Sequence, residues 1–347
     1  MYEIQVLTHE DTERLLTMKD VISRIEGVYT EKANHTAAVW PMVFYEFEPG
    51  KADMDIKSGC LREQQVYGLK LVSWFGDNPP KGLPALTGAI LLFDLSTGKP
   101  LGLINGEHVT GMRTGAAGAI GIKYLARENS ETLLMVGTGH QAAYQITAAI
   151  AISDSIKRIL VHSPLNPEHA AQFCESFELK GAEYQGKTAA ILKGRGIILE
   201  PALNLEAAVK ESDIIITATP SRLPLIMKDW VKPGTHFSCM GSDMPGKQEI
   251  DENIMGIAKV VVDDLTQAMA VGEVETAIHR RILSSDEILG EIGDLITGRI
   301  HGRTSESDIT VFDSTGIGLQ DLATGALALE NAAAGEQTPT IGTRVAF

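Results

Sequence analysis

The chain has few cysteines, and the three present, Cys60, Cys174 and Cys239, form no CxxC pair. None stands at metal-ligand spacing from a histidine, so the sequence predicts buried thiols and no metal site. Long apolar runs are also missing, since none approaches the roughly 18 residues of a membrane span. The first residues, MYEIQVLTHE, are too acidic for a signal or transit peptide, and we expect a cytoplasmic protein that does not bind membranes.

Basic residues are outnumbered, with 30 Lys and Arg against 45 Asp and Glu. The acidic residues are spread along the chain, which is typical of a solvated surface. No basic stripe is visible, and this argues against nucleic acid as a partner. The length of 347 residues and the apolar fraction of 44% allow two folded domains.

The most informative stretch is ETLLMVGTGHQAAYQ, residues 131–145. An apolar run ends at Gly137, and periodic apolar residues resume at Ala142, which predicts a strand, a glycine turn and a helix. Such a turn offers backbone N–H groups and a helix N-terminus to a pyrophosphate. Gly137 permits the tight turn, Gly139 lets the phosphates approach, and Ala142 lets helix and strand pack. Glycine turns also occur in plain strand–helix packing, but the flanking elements favour a dinucleotide site.

From Thr132 onward strands alternate with helices, which predicts an α/β fold with a Rossmann-type doubly wound parallel sheet. The predicted strands are LLMVG, RILVHS, DIIITAT, THFSCMG, AKVVVDD and ITVFDS. Residues 38–104 are strand-like, with a hairpin turn at 96–98, and Met18–Tyr29 has helical spacing. We expect an irregular excursion or hairpin at 178–200 and a helical tail from Asp321 to Gly335.

The second strand of the predicted sheet ends at His162 and Ser163, where NAD-binding proteins usually carry an Asp or Glu for the ribose. The missing carboxylate favours NADP, but no Arg follows directly. The preference between the two cofactors therefore stays open.

Two basic residues have both a structural and a functional interpretation. Lys70, in GLKLVSW, either extends its amine to the surface or faces a polar cavity. Arg113, in GMRTGAAGA, is expected near the start of a helix of small residues. It lies either at the surface or buried, where it would hold a carboxylate by a bidentate pair.

Two further segments follow apolar strands, at the end where ligands bind in parallel sheets. Asp243 either takes part in binding or forms a turn before Met-Pro-Gly. Lys247 either neutralises a phosphate or is solvated. The residues 313–316, DSTG, close the last strand and could cap the next helix.

With these features in order, the chain resembles the ornithine cyclodeaminase/mu-crystallin family. The matching segments run from about residue 55 to 325 and are GLKLVSW, LLFDLSTGKPLGLINGEHVTGMRTGAAGAIGIKYLA, LLMVGTGHQA, DIIITATPS, MGSDMPGKQEID and DITVFDSTGIGLQDL. The resemblance implies a homodimer. It also implies an α+β substrate-binding and dimerisation domain of residues 1–125 and 318–347, and a Rossmann domain of residues 126–317 that binds NAD or NADP.

The resemblance also implies roles for individual residues. Lys70 and Arg113 would face the substrate carboxylate and the reacting carbon, Asp243 would be the acid/base, and Asp55 would hold a distal amine. Thr315 would contact the substrate. Cofactor contacts would come from Gly137, Gly139, His140, Gln141, His162, Ser163, Thr219, Lys247, Ser314 and Arg113. One feature departs from the family: no arginine stands near Pro41 in the early strand. Either Lys57 supplies the positive charge of that arginine, or this charge is missing.

The function this implies is hydride transfer at the α-carbon of a small L-amino acid, with ornithine cyclodeaminase, which converts L-ornithine to L-proline and ammonia, as the first expectation. A ketimine or imine reductase, or an amino-acid dehydrogenase of the alanine type, would use the same residues. A mu-crystallin-like binding protein for NADP or another ligand is the third alternative, and Asp243 counts against it because binding alone needs no acid/base.

Overall fold

The structure, a computed structural model, describes residues 2–178, 183–334 and 341–346. The strands are β1 (Glu3–Leu7), β2 (Ala37–Glu48), β3 (Ala52–Leu61), β4 (Val66–Phe75), β5 (Leu86–Asp94), β6 (Pro100–Asn105), β7 (Thr132–Val136), β8 (Arg158–His162), β9 (Ile198–Pro201), β10 (Ile214–Thr217), β11 (Arg222–Ile226), β12 (His236–Cys239), β13 (Gln248–Ile250), β14 (Ala258–Val262), β15 (Gly290–Glu291), β16 (Ile309–Asp313) and β17 (Thr343–Ala346). The α-helices are α1 (His9–Leu15), α2 (Met18–Ala33), α3 (Gly106–Leu125), α4 (His140–Ile152), α5 (Pro167–Glu178), α6 (Glu183–Arg195), α7 (Leu205–Glu211), α8 (Glu252–Met255), α9 (Leu265–Ala268), α10 (Glu273–His279), α11 (Ile292–Ile296) and α12 (Gly318–Ala334).

The chain divides into two compact units, one of residues 1–113 and 317–347 and one of residues 114–316. The predicted boundary after residue 125 lies twelve residues later than this division, which falls inside α3. The second half of α3 packs within the second unit. There, Gln145 Nε2 donates to the Thr114 carbonyl at 3.0 Å, and a Cβ at Gly121 would meet the Phe312 ring carbon Cδ1 at 2.6 Å.

The first unit is built on a seven-stranded mixed sheet in the order β17-β1-β6-β5-β4-β3-β2. Four consecutive antiparallel pairings join β2 to β6, within the region that the sequence predicts to be strand-like, and β5 and β6 form a hairpin across the predicted turn at 96–98. Helices α2 and α12 pack on each other, and α12 lies against β3, β4 and β5. The apolar face of α2 that the sequence predicts is buried, and Val21, Ile25 and Val28 have no exposed surface.

The second unit contains an eight-stranded sheet in the order β15-β14-β16-β12-β10-β7-β8-β9, and all of its pairings are parallel. All six strands predicted after Thr132 belong to it. From β7 the chain moves to β8 on one side and later returns to β10 on the other. Strand order therefore reverses at β7, and in doubly wound sheets ligands bind at such a reversal, beyond the carboxyl ends of the strands.

The prediction for residues 178–200 is wrong. In place of an irregular excursion or hairpin, α6 covers Glu183–Arg195 and β9 adds an edge strand to the sheet. Gly186 and Gly194 weakened the helical pattern without preventing a helix, since neither has a positive φ, and Gly196, which does, follows the last helical residue. The tail helix α12 ends at Ala334, and the rest of its predicted extent lies outside the described residues. Among the described residues, no helix is both long and apolar enough to cross a membrane.

Candidate functional site

The glycine turn after β7 has the geometry that phosphate binding needs. Gly137 has φ +114°, and a Cβ there would lie 2.6 Å from the Ala218 carbonyl oxygen, so only glycine fits. Gly139 is the N-cap residue of α4, and a Cβ on it would have no neighbour within 4 Å. The first glycine is therefore required by the fold, whereas the second lies beside open space.

The N-terminus of α4 has neither a side-chain cap nor an acidic residue in its first turn. Its first N–H groups and the positive end of the helix dipole are thus not neutralised by a local carboxylate. His140 and Gln141 are the first two helical residues, and Ala142 is buried where helix and strand meet. These residues fit a bound pyrophosphate, held by backbone N–H groups after Gly139.

His162 and Ser163 lie at the carboxyl end of β8, next to this turn in the sheet. The Gly137 N–H donates to the His162 carbonyl at 2.8 Å, and His162 Nδ1 lies 2.8 Å from the Ala202 carbonyl. Because a carbonyl only accepts, Nδ1 carries the proton, and the imidazole is fixed in one tautomer. Ser163 is buried.

Asp243 and Lys247 lie in the loop after β12 and form an ion pair, with Asp243 Oδ1 and Lys247 Nζ 2.5 Å apart. The Asp243 side chain is 48% exposed and that of Lys247 only 16%. The loop also turns tightly, since the Asp243 N–H donates to the Gly241 carbonyl. Asp243 is therefore a turn residue, and its carboxylate is open to solvent and paired with a cation. A part in binding stays a prediction.

Ser314 and Thr315 follow β16, and both hydroxyls are 3.0 Å from the buried carboxylate of Asp263 and donate to it. Thr315 Oγ1 also accepts from Gln267 Nε2 at 2.9 Å. Asp263 was not among the predicted residues, although its place at the carboxyl end of β14 was a usable signal. Asp313, the first residue of the DSTG segment, accepts at Oδ2 from the Val274 N–H in the first turn of α10, a helix that precedes the segment in the chain. Capping of the helix that follows the segment stays a prediction.

A set of buried cations lies in the first unit. Lys57 on β3 and Lys70 on β4 are directly opposite each other in the sheet register, and both are buried. Arg113 of α3 is buried as well. The surface interpretations of Lys70 and Arg113 are therefore wrong. Arg113 is also not at a helix start, since α3 begins at Gly106, where Asn105 Oδ1 accepts from the Glu107 N–H.

Asp321 of α12 joins these cations. Its Oδ1 accepts from Lys70 Nζ and from Arg113 Nε, each at 3.0 Å, and Arg113 Nη1 donates to Gln320 Oε1. Burial lowers the pKa of Lys70 to about 8, since Asp321 only partly offsets it and Arg113 and Lys57 add to it. Burial alone would raise the pKa of Asp321, but Arg113 and Lys70 hold it below its usual value.

Asp55 lies two residues before Lys57 on β3, so both side chains point to the same face of the sheet. The first unit thus brings together Lys57, Lys70, Arg113 and the half-buried Asp55, and we call these four residues with Asp321 the cationic cluster. Asp321 was missed in the sequence. An aspartate inside the apolar stretch GLQDLATGALAL was the available signal, since a buried charge needs a partner.

The ornithine cyclodeaminase/mu-crystallin family profile matches residues 2–336. The chain belongs to this family. Alanine dehydrogenase of Archaeoglobus fulgidus is 35% identical over 347 residues, which cover 99% of each chain. A solved archaeal alanine dehydrogenase dimer with bound NAD superposes with a TM-score of 0.87 at 34% identity, covering 100% of both chains. Δ1-Pyrroline-2-carboxylate reductase of Thermococcus litoralis, solved with NADH and L-proline, gives a TM-score of 0.88 at 30% identity over 99% of this chain and 100% of that one.

The predicted residues thus fall into two groups, one in each unit. The second unit holds the glycine turn, His140, Gln141, His162, Ser163, Thr219, Asp243, Lys247, Ser314 and Thr315, at or near the carboxyl ends of its parallel strands. The NAD-bound relative above shares the fold over the whole chain.

Proposed function

We propose that the protein is an NAD(P)-dependent enzyme that transfers a hydride at the α-carbon of a small L-amino acid or imino acid. The observation that carries this is the cationic cluster. Three cations, Lys57, Lys70 and Arg113, are buried around one fully buried carboxylate, Asp321. Even with Asp55 counted, positive charge is in excess, and a buried excess charge calls for an anionic ligand. A substrate carboxylate supplies it.

The cofactor is assigned to the glycine turn and α4 of the second unit. NAD(P), when bound, supplies the hydride acceptor or donor. Gly137 permits the tight turn, Gly139 lets the phosphates approach, and His162 and Ser163 lie where the ribose is expected. Two similar proteins were solved with NAD or NADH. Nothing in His162 or Ser163 repels or attracts a 2′-phosphate strongly, so both NAD and NADP stay candidates.

Each charged side chain of the site then has a role in the proposed reaction. Arg113 and Lys70 hold the substrate carboxylate, fixed in place by Asp321. Lys57, buried opposite Lys70, provides the charge of the family arginine that is missing near Pro41. Asp243, exposed and paired with Lys247, accepts and returns a proton at its carboxylate oxygen during conversion between amine and imine.

Net oxidation or reduction is the reaction favoured by the named relatives, an alanine dehydrogenase and a pyrroline-2-carboxylate reductase. Cyclisation of L-ornithine is a second candidate, and Asp55 favours it. Its carboxylate lies on the same sheet face as Lys57, where it can pair with a distal ammonium group of a diamino acid. Alanine has no distal ammonium group, so in an alanine dehydrogenase this carboxylate would act only on the buried cations, where Asp55 favours protonated Lys70.

A turnover assay separates these reactions. The protein is incubated with L-alanine, L-proline or L-ornithine and NAD+ or NADP+, and with NADH or NADPH plus pyruvate and ammonia or a cyclic imino acid. Net change in reduced cofactor is expected with at least one small amino or imino acid. Proline formed from ornithine over many turnovers, without net reduced cofactor, identifies the cyclase instead. Tight cofactor binding without turnover of any substrate identifies a mu-crystallin-like binder and contradicts the proposed enzyme.

We further propose a homodimer that uses the first unit. Strand β2 is the edge strand of the mixed sheet and exposes large apolar side chains, namely Trp40, Val43, Phe44, Tyr45 and Phe47. Exposed apolar strands at a sheet edge are rare in monomers because they promote association. Light scattering of the purified protein should give twice the mass of the chain. A monomer at all concentrations would exclude the dimer.

A further inference from the structure

Glu249, in β13, connects two loops that follow neighbouring strands of the parallel sheet. Its side chain is fully buried. Oε1 accepts from the Thr219 N–H at 2.6 Å, in the loop after β10. Oε2 accepts from the Gly241 N–H at 2.9 Å, in the loop after β12, and from Thr217 Oγ1 at 2.8 Å. One carboxylate therefore receives three donors, one from the end of β10 and one from each of two separate loops.

Gly241 shows how closely these two loops approach. A Cβ at this position would collide with the Thr219 carbonyl oxygen and would lie 2.6 Å from Glu249 Oε2. Only glycine fits between the loops, because no side chain can be placed there. The Glu249 carboxylate fills the remaining polar space and holds the backbone on both sides.

Glu273, the first residue of α10, continues this arrangement. Its Oε1 accepts from Ser242 Oγ at 2.6 Å and from the Glu249 N–H at 2.7 Å, and its Oε2 accepts from the Ile250 N–H at 3.2 Å. Glu249 and Glu273 together thus bind both ends of the segment 241–250. This segment, which we call the acid/base loop, carries Asp243 and Lys247. Its middle is held by Glu275 Oε2, which accepts from the Gly246 N–H.

Two buried carboxyl groups in one place are costly for stability. Burial raises the pKa of Glu249 to about 7. Burial, Glu249 and Asp313 raise the pKa of Glu273 well above its usual value. Apolar side chains of similar size would avoid this cost, but they would leave the N–H groups of Thr219 and Gly241 without an acceptor. This loss of stability is explained if the reaction requires the two loops to be held in these positions.

We propose, relying on the hydride-transfer function proposed above, that Glu249 is a positioning residue. Its carboxylate fixes the acid/base loop against the loop of Thr219, and so sets where Asp243 stands relative to the cofactor. Glu249 itself touches neither substrate nor cofactor. A misplacement of about 1 Å at Asp243 is enough to lower the rate by about 100-fold.

Glu249→Gln tests this. The amide oxygen can accept from only one of the two loops, and the amide NH2 then faces an N–H of the other. We expect kcat to fall by about 10-fold or more, with a smaller change in the KM of the amino or imino acid. Hydrogen–deuterium exchange in peptides containing Thr219 or Gly241 should become faster, and this can be measured without any turnover.

Glu252→Gln is the matched control. Glu252 is also a buried glutamate next to β13, but it accepts from the side chains of Gln248 and Arg280 and not from the N–H groups of Thr219 or Gly241, which donate to Glu249. It should keep the wild-type kcat and exchange pattern. Equal losses of kcat in the two variants, in proportion to their loss of thermal stability, would overturn the positioning role.

Ser242→Ala provides a second, milder variant should Glu249→Gln not fold. It removes only the hydroxyl that donates to Glu273 Oε1, and it should speed exchange in the acid/base loop and lower kcat several-fold. Wild-type exchange rates around Thr219 and Gly241 in either variant would overturn the inference. Failure of the hydride-transfer function would appear separately, as a wild-type protein without turnover, and the exchange measurement would still decide whether Glu249 holds the loops.

Discussion

Lys70 and Arg113 share one oxygen of Asp321: Lys70 Nζ and Arg113 Nε each lie 3.0 Å from Oδ1. The three side chains come from β4, α3 and α12, and all are buried. Lys57 adds a third cation directly opposite Lys70 in the sheet register. The first unit therefore contains a fixed group of cations whose charge exceeds that of its central carboxylate, and this excess is what the proposed function uses.

Asp321→Asn should destabilise the protein strongly. The substitution keeps the shape of the side chain but leaves two buried cations without their shared negative charge. Breaking a buried ion pair by removal of one partner costs about 3–5 kcal/mol. Chemical denaturation, followed by circular dichroism, measures the free energy of unfolding of the variant and the wild type.

Glu330→Gln, on the same helix, is the control for this substitution. Glu330 is half-exposed and pairs with Arg24 at the surface, and exposed pairs contribute about 0–1 kcal/mol. Similar losses of unfolding free energy in the two variants would show that Asp321 does not stabilise the protein by neutralising buried cations.

The affinity for carboxylates should fall as pH rises through about 8. Lys70 is protonated below its pKa of about 8 and loses its charge above it, because burial lowers the pKa from the usual 10.5. The inhibition constant of propionate, whose own carboxyl titrates far below this range, should therefore rise above that pH. In Asp321→Asn the rise should begin at lower pH, because the carboxylate no longer favours protonated Lys70. An inhibition constant independent of pH would remove Lys70 from the carboxylate site.

Gly139→Ala should weaken cofactor binding without harming the fold. The new methyl group would point into space that no described atom within 4 Å fills, so a bound pyrophosphate is what it would displace. We expect the Kd for NADH, measured by fluorescence titration, to rise about 10-fold, or by about 1.4 kcal/mol. Gly186→Ala in α6, also with open space at its Cβ, should bind NADH as the wild type does. Equal affinities for all three proteins would argue against phosphate binding at this turn.

Asp243→Asn should lower kcat by at least ~100-fold, the usual contribution of a general acid or base. The amide keeps the size of the carboxylate but cannot accept the proton, and it ends the ion pair with Lys247. Cofactor affinity should change little by comparison. Asp286→Asn, at an exposed position outside the acid/base loop, serves as the control. Near-normal turnover in Asp243→Asn would remove the acid/base assignment.

The fold was predictable where the pattern was local. The apolar strand, the glycine turn and the helix around Gly137 are adjacent in sequence, and the six predicted strands of the parallel sheet each stand out as an apolar run. The segment that became α6 was not predictable in this way, because its glycines and lysines give no amphipathic face. Its helix forms beside α5 in the folded unit.

The candidate site was predictable only in part, because its polar contacts join distant segments. No residue near Lys70 in the sequence indicates that Asp321 is its partner. Asp321 lies 251 positions later, and the two side chains meet only once α12 packs on the sheet. Lys57 becomes a neighbour of Lys70 only through the register of β3 and β4. Glu249 and Glu273 are ordinary charged residues in sequence, and their burial follows from the tight approach of two loops.

A deuterium label at the α-carbon tests hydride transfer most directly. The protein is given a Cα-deuterated L-amino acid that it turns over, with NAD+ or NADP+, and the products are analysed by mass spectrometry. If hydride is transferred from the α-carbon, the deuterium is found on the nicotinamide ring of the reduced cofactor or, if ornithine is cyclised, in the proline formed. Loss of the deuterium to water, with none on the cofactor or in the product, would contradict hydride transfer at the α-carbon.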